Sequence, residues 1–98
     1  MVRVKWLKSA KDDLRDIYEY ISLDSKRYAK HQVEKIQTKT EILKLGNVLG
    51  KKVSESDDEK IREIFDGDYR IIYRIVSIEE IHILLVHHGA RNLNKRIL

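Results

Sequence analysis

Lys60-Ile61-Arg62-Glu63-Ile64-Phe65-Asp66-Gly67-Asp68-Tyr69-Arg70-Ile71-Ile72-Tyr73-Arg74-Ile75 decides the fold, and Ile81-His82-Ile83-Leu84-Leu85-Val86-His87-His88-Gly89-Ala90-Arg91-Asn92-Leu93 completes the pattern. Apolar and polar residues alternate here with the period of a strand rather than a helix. Asp66-Gly67 is a two-residue hairpin signal between strands at 61–65 and 69–76. Ser77-Ile78-Glu79-Glu80 forms a second turn before a strand at 81–86. The last third is therefore expected to be a three-stranded meander, with arginines and histidines where a plain sheet would place inert polar side chains.

Upstream the period changes. Ala10, Leu14, Ile17, Tyr18 and Ile21 fall on one helical stripe, with Ser9 as expected N-cap and Asp12 placed as in a capping box. Asp24-Ser25 offers a second cap, and Ala29, Val33, Ile36, Thr40 and Leu43 recur at helical spacing up to Gly46, a natural C-terminal stop. Val2, Val4 and Trp6 alternate with Arg3 and Lys5 as a half-buried strand, and 47–59 reads as the one loop. The expected class is α+β, in the order β-α-α-β-β-β. An antiparallel sheet would carry a helical hairpin on one face and leave the other partly open.

Residues 1–98 suffice for one domain with one modest core. The formal charge of +4 favours an acidic partner. Its distribution is uneven: 54–68 holds seven acids against Lys60 and Arg62, whereas 89–98 carries Arg91, Lys95 and Arg96 with no acid. The absence of cysteine removes disulfides and thiolate metal sites. The opening residues lack the apolar run of a signal peptide and no stretch approaches a bilayer span, so a cytoplasmic location without membrane contact is expected. His31, His82, His87 and His88 form no metal-ligand spacing, no serine sits in a nucleophile elbow, and the glycines build no phosphate loop. Nothing in the chain calls for a cofactor.

Period-two alternation puts Tyr69, Ile71, Tyr73 and Ile75 on the helix side, and Arg70, Ile72 and Arg74 on the other. Arg70 and Arg74 suit carboxylate or phosphate recognition, or they answer Glu63, Glu79 or Glu80. His87 and His88 point to opposite faces. An even-numbered turn after Val76 sets His87 opposite Arg70, and an odd-numbered one sets His88 there. Tyr18, Tyr28, Tyr69 and Tyr73 are expected mainly in the core.

Three groups of residues carry a family resemblance. They are Trp6 with Ala10, Asp13-Leu14, Ile17 and Tyr20-Ile21; Ile61-Arg62-Glu63-Ile64 followed by Tyr69-Arg70-Ile71-Ile72-Tyr73; and His88-Gly89-Ala90-Arg91 before Leu93. In order, spacing and length the chain resembles the ParE/RelE superfamily of type II toxin-antitoxin toxins. The resemblance implies a cognate antitoxin that neutralises the toxin, and an assembly that is a homodimer or a toxin-antitoxin hetero-oligomer. RelE-like members cut mRNA on the ribosome, whereas ParE-like members of the plasmid-stabilisation branch poison DNA gyrase, so the fold alone does not select the activity.

On the RelE/YoeB-like reading, Arg70 and Arg91 would hold phosphate and His88 would act as acid or base. Against it, the strand that supplies lysines in RelE has Ile61, Glu63 and Phe65 here, and Ile97 stands where RelE has a tyrosine. The segments 61–64 and 88–91 look more like ParE. The expectation is thus a ParE-like gyrase inhibitor contacting gyrase or antitoxin through Arg62, Arg70, Arg74, His87, His88, Arg91, Lys95 and Arg96. The alternatives are a ribosome-dependent mRNA interferase and a non-toxic antitoxin-binding regulator.

Overall fold

The fold was obtained as a computed structural model, which describes residues 1–46, 50–89, 91, 93 and 96. Strand β1 (Arg3–Trp6) leads into α1 (Lys8–Ser22) and α2 (Lys26–Glu41), which tightens into a 3₁₀ turn (Ile42–Leu45). A two-residue strand β2 (Lys51–Lys52) precedes the meander β3 (Ile61–Asp66), β4 (Tyr69–Ser77) and β5 (Glu80–His88). The five strands form one sheet in the order β1-β5-β4-β3-β2. The α+β class and the β-α-α-β-β-β succession hold, with β2 added inside the expected loop.

The sheet is mixed rather than wholly antiparallel, because β1 pairs in parallel with β5 from Arg3↔Glu80 to Trp6↔Ile83. The reason lies in β2, which runs against β3, so the chain travels back along the sheet before the meander starts. The third meander strand then shares the direction of β1. No described helix is long and apolar enough to cross a membrane.

The helix stripes form the main core. Ala10 and Leu14 of α1 and Ile36 of α2 pack with Leu43 against Ile71, Tyr73, Ile81, Ile83 and Val86. Ser25 caps α2 as expected, its Oγ accepting from Tyr28 N at 3.1 Å. Gly46 ends the 3₁₀ turn at φ +76°, the left-handed conformation that glycine adopts without a Cβ penalty. Ser9 does not cap α1. The cap falls two residues earlier, at Leu7, so the helix starts at Lys8, and Ser9 Oγ instead donates to Leu84 O at 2.6 Å. The first hairpin is shifted by one residue from the expected Asp66-Gly67, since Asp66 pairs with Tyr69 and leaves Gly67-Asp68 as the turn. Gly67 alone has positive φ there, the pattern in which glycine leads a II′ turn.

The second face is not open. Val53 from the 50–60 segment and Leu93 near the C-terminus cover Ile61, Ile72 and Leu85, making a smaller second core. Tyr73, fully buried, ties the two layers together: its hydroxyl accepts from Gly50 N at 2.6 Å. Tyr73→Phe orphans that amide and is expected to lower stability by about 1–2 kcal/mol in urea denaturation. An unchanged midpoint would show that Gly50 N finds water instead. Of the other tyrosines expected in the core, Tyr69 is half-buried, whereas Tyr18 is 38% and Tyr28 57% exposed. Tyr28 lies in the first turn of α2, where Ala29 rather than Tyr28 faces inward.

Candidate functional site

Two bulges settle the histidine register. Ser77 pairs with Glu80 but Ile75 with Ile81, which leaves Val76 as an extra residue on β4. Tyr73 pairs with Ile83 but Ile72 with Leu85, which leaves Leu84 as an extra residue on β5. The two insertions sit on opposite strands and cancel. Arg70 therefore faces His87, and Tyr69 faces His88, as the even-numbered turn implied. The Leu84 bulge also re-aims the end of β5, sending Val86 to the helix-side core and Leu85 to the second face.

Directly opposed residues share a face, so the candidate residues divide. Arg70, Arg74 and His87 lie on the second face. Arg62, opposite Tyr73, and His88, opposite Tyr69, lie on the helix side. His88 meets the Tyr69 ring edge-on with centroids 5.4 Å apart.

Arg70 is enclosed by acids. Its Nε donates to Glu63 Oε1 at 2.6 Å and its Nη2 to Glu63 Oε2 at 3.0 Å. Glu55 receives Nη1 at 2.8 Å and Nη2 at 2.9 Å, so two carboxylates grip one guanidinium. Glu63 is only 3% exposed. The hydrogen bonds from Arg70 are the chief reason the Glu55 carboxyl is held down to about 2, and the bonds to Glu55 and then Glu63 raise the guanidinium in turn. Arg74 donates to Asp58 Oδ2 at 2.7 Å, and Arg62 Nε donates to Glu59 O at 2.9 Å. Glu55 and Asp58 belong to the acidic run seen in the sequence and occupy two arginines of the meander with their carboxylates, whereas Glu59 answers Arg62 only with its backbone carbonyl.

The remaining candidates gather at the free end of β5. Beyond Trp6, β1 no longer pairs with β5, and α1 takes its place at the edge. Ser9 answers Leu84 O, and Asp13 Oδ2 accepts from Val86 N at 2.9 Å. Arg96 returns to the same carboxylate, its Nη2 lying 2.9 Å from both Asp13 oxygens. Buried His87 fits between the two arginines of the tail. A carbonyl can only accept, so Nε2 donates to Arg91 O at 2.9 Å; a guanidinium can only donate, so Nδ1 accepts from Arg96 Nη1 at 3.4 Å.

These groups line a cleft of about 590 Å³, with Tyr69 and His88 on one side, Asp16 and Ile17 of α1 on another, and Arg91 and Arg96 closing it. Burial raises the Tyr69 phenol above its ordinary value. Arg91 is exposed, and its side chain has no hydrogen-bond or ion-pair partner among the described residues. Lys95 lies outside the described residues. Asp13 was the residue that sequence reading missed. Asp13-Leu14 carries part of the family resemblance, but its sequence neighbours give no sign that Asp13 caps a strand edge 73 residues away.

A family profile described as the ParE toxin of type II toxin-antitoxin systems, parDE, matches residues 4–93. Among solved structures, a chain from the "Chromosomal ParDE TA system from P. aeruginosa" superposes with a TM-score of 0.73. It is 24% identical over 90% of this chain and 96% of that one, a likeness of fold. No curated protein sequence matches the chain.

Proposed function

The chain belongs to the ParE toxin family of type II toxin-antitoxin systems, and from that premise we propose that it inhibits DNA gyrase by binding it, without cutting RNA, until a cognate antitoxin neutralises it. One observation carries the choice of mechanism. RNA cleavage would need Arg70, His88 and Arg91 to act on one phosphate, and although Arg70 and His88 both border a depression at the end of the sheet, the Arg70 guanidinium is already held by Glu55 and Glu63. An incoming phosphate would have to displace two carboxylates from the guanidinium and would meet their charge. The likeness to a ParDE system supports an antitoxin as the natural partner. The cleft with Tyr69, His88, Arg91 and Arg96 is the surface assigned to the macromolecular contact, tyrosine and arginine being the side chains that anchor protein interfaces. A gyrase target also implies action in the cytoplasm.

The test is to add the purified chain to gyrase and, in parallel, to a translating extract. The expected result is loss of supercoiling with trapped cleaved DNA, while primer extension finds the mRNAs intact. Codon-phased mRNA cuts with unaffected gyrase would reverse the assignment, and no effect in either arm would point to the antitoxin-binding regulator. His88→Ala separates the mechanisms further. As a lining residue of the contact it is expected to weaken killing about fivefold or less, because most single truncations in a protein interface cost under about 1 kcal/mol, whereas loss of an acid-base group costs 10²–10⁴-fold in cleavage rate.

A further inference from the structure

The segment from Lys26 to Leu45, comprising α2 and its 3₁₀ turn, has six cations against two acids. The other 78 residues carry 14 of each sign, so this one element accounts for the whole formal charge of +4. Its charges also break the rules that favour a helix. Lys26 and Arg27 stand in the first turn, at the positive end of the helix dipole, where α2 has no acid. Lys26 with Lys30 and Lys35 with Lys39 are like-charge neighbours at i,i+4, which disfavour the helix. Lys30 is answered by Glu34 at 3.9 Å and Lys39 in the last turn suits the dipole, but the first-turn cations and the two like-charge pairs remain against local rule, and such departures are expected at functional surface.

We propose that the outer face of α2 binds the phosphate backbone of duplex DNA through Arg27, Lys35 and Lys39. Successive members of the i,i+4 row rise ~6 Å, so Arg27 to Lys39 spans ~18 Å of straight helix. All three side chains are exposed. Among the described residues Arg27 and Lys39 form no ion pair, and Lys35 reaches Asp66 only at 3.8 Å. Lys35, Thr38 and Lys39 border a shallow depression that also includes His31 and Glu34, the latter 3.9 Å from Lys30 Nζ.

Composition favours nucleic acid over an acidic protein segment. Protein interfaces enrich aromatic residues, methionine and arginine at a desolvated centre and deplete lysine. This face is lysine-rich, and the one large apolar residue in its depression is Ile42, 39% exposed. Lysines that neutralise phosphates gain instead from counterion release, which needs no apolar anchor. The inference extends the gyrase reading, whose substrate is DNA, but does not depend on it.

Fluorescence anisotropy of the full chain with a random-sequence 20-base-pair duplex tests it. Three phosphate contacts predict that affinity falls about 40-fold between 50 and 200 mM salt. The variant Arg27→Gln, Lys35→Gln, Lys39→Gln should flatten that dependence. Arg27→Lys, Lys35→Arg, Lys39→Arg should preserve it, which shows that charge and not folding is being read. Lys5→Gln, Lys51→Gln, Lys52→Gln removes equal charge from the sheet edges and should leave binding unchanged. Equal loss in both glutamine variants, no binding at 50 mM salt, or tighter binding of a poly-glutamate peptide than of DNA would each overturn the proposal.

Discussion

Arg70→Ala is expected to destabilise the fold by about 3–5 kcal/mol, because removing one partner of a buried ion pair leaves the other charged and unpaired. The abandoned group is Glu63, 3% exposed and opposite Ile72 in the sheet, where solvent cannot replace the guanidinium. Glu55 loses its partner in the same step, freeing the 50–60 segment that carries Val53 over the second core. Urea denaturation checks the size of the effect, and a loss below about 1 kcal/mol would mean that the cluster relaxes into water. The double variant Arg70→Met, Glu63→Leu should recover much of the loss, since well-packed apolar side chains commonly replace a buried pair without penalty. The same variant separates a structural arginine from a catalytic one. If it still kills, the guanidinium is structural; a nuclease relying on Arg70 would be dead in both variants.

The same cluster sets an acid limit. Glu55 has its carboxyl depressed from 4.5 to about 2, first by its hydrogen bonds with Arg70. A depressed folded value means that the contribution is complete above the unfolded value near 4.5 and is lost as pH falls through about 2. Wild type should therefore lose this contribution only progressively across that window. Arg70→Met should show a weaker dependence from Glu55, whose carboxyl keeps only its backbone and Ser54 hydrogen bonds, a contrast that thermal melts at pH 5, 3.5 and 2.5 would expose.

The sequence made legible whatever depends on near neighbours. The stripes through Leu14 and Ile36, the Ser25 cap, the left-handed Gly46 and the alternation that faces Tyr73 inward are all local patterns, and all are present. Two kinds of feature were hidden. Val76 and Leu84 are apolar whether bulged or paired, so no residue type marked the insertions between which Ile81 and Ile83 turn to the helix-side core. The acidic run was visible as charge, but assigning Glu55 to Arg70 and Asp58 to Arg74 required the path of the loop across the sheet. The arginines, read as an open recognition face, are thus the anchors of a cover over that face. What remains accessible lies around the edge of β5, with Arg91 and the Tyr69 and His88 rings.

Asp13→Ala should strike that remaining site, with an expected loss of about 3 kcal/mol from two separable causes. The first is the buried strand edge: Val86 N gives its hydrogen to Asp13 Oδ2, and an orphaned amide costs about 1–3 kcal/mol. The second is the charge-assisted pair with Arg96, 30% exposed at its side chain, which holds the tail against α1 and fixes the acceptor side of His87. Asp13→Asn divides them, because an amide oxygen still accepts from Val86 N but carries no charge for Arg96. The asparagine variant should keep most of the stability in urea while trypsin cuts at Arg91 and Arg96 several times faster than in wild type. If gyrase is gripped through the cleft, that variant should also lose inhibition in proportion to tail release, with its melting midpoint little changed. Equal proteolysis in wild type and Asp13→Asn would show that Leu93 in the second core, rather than the ion pair, holds the tail in place.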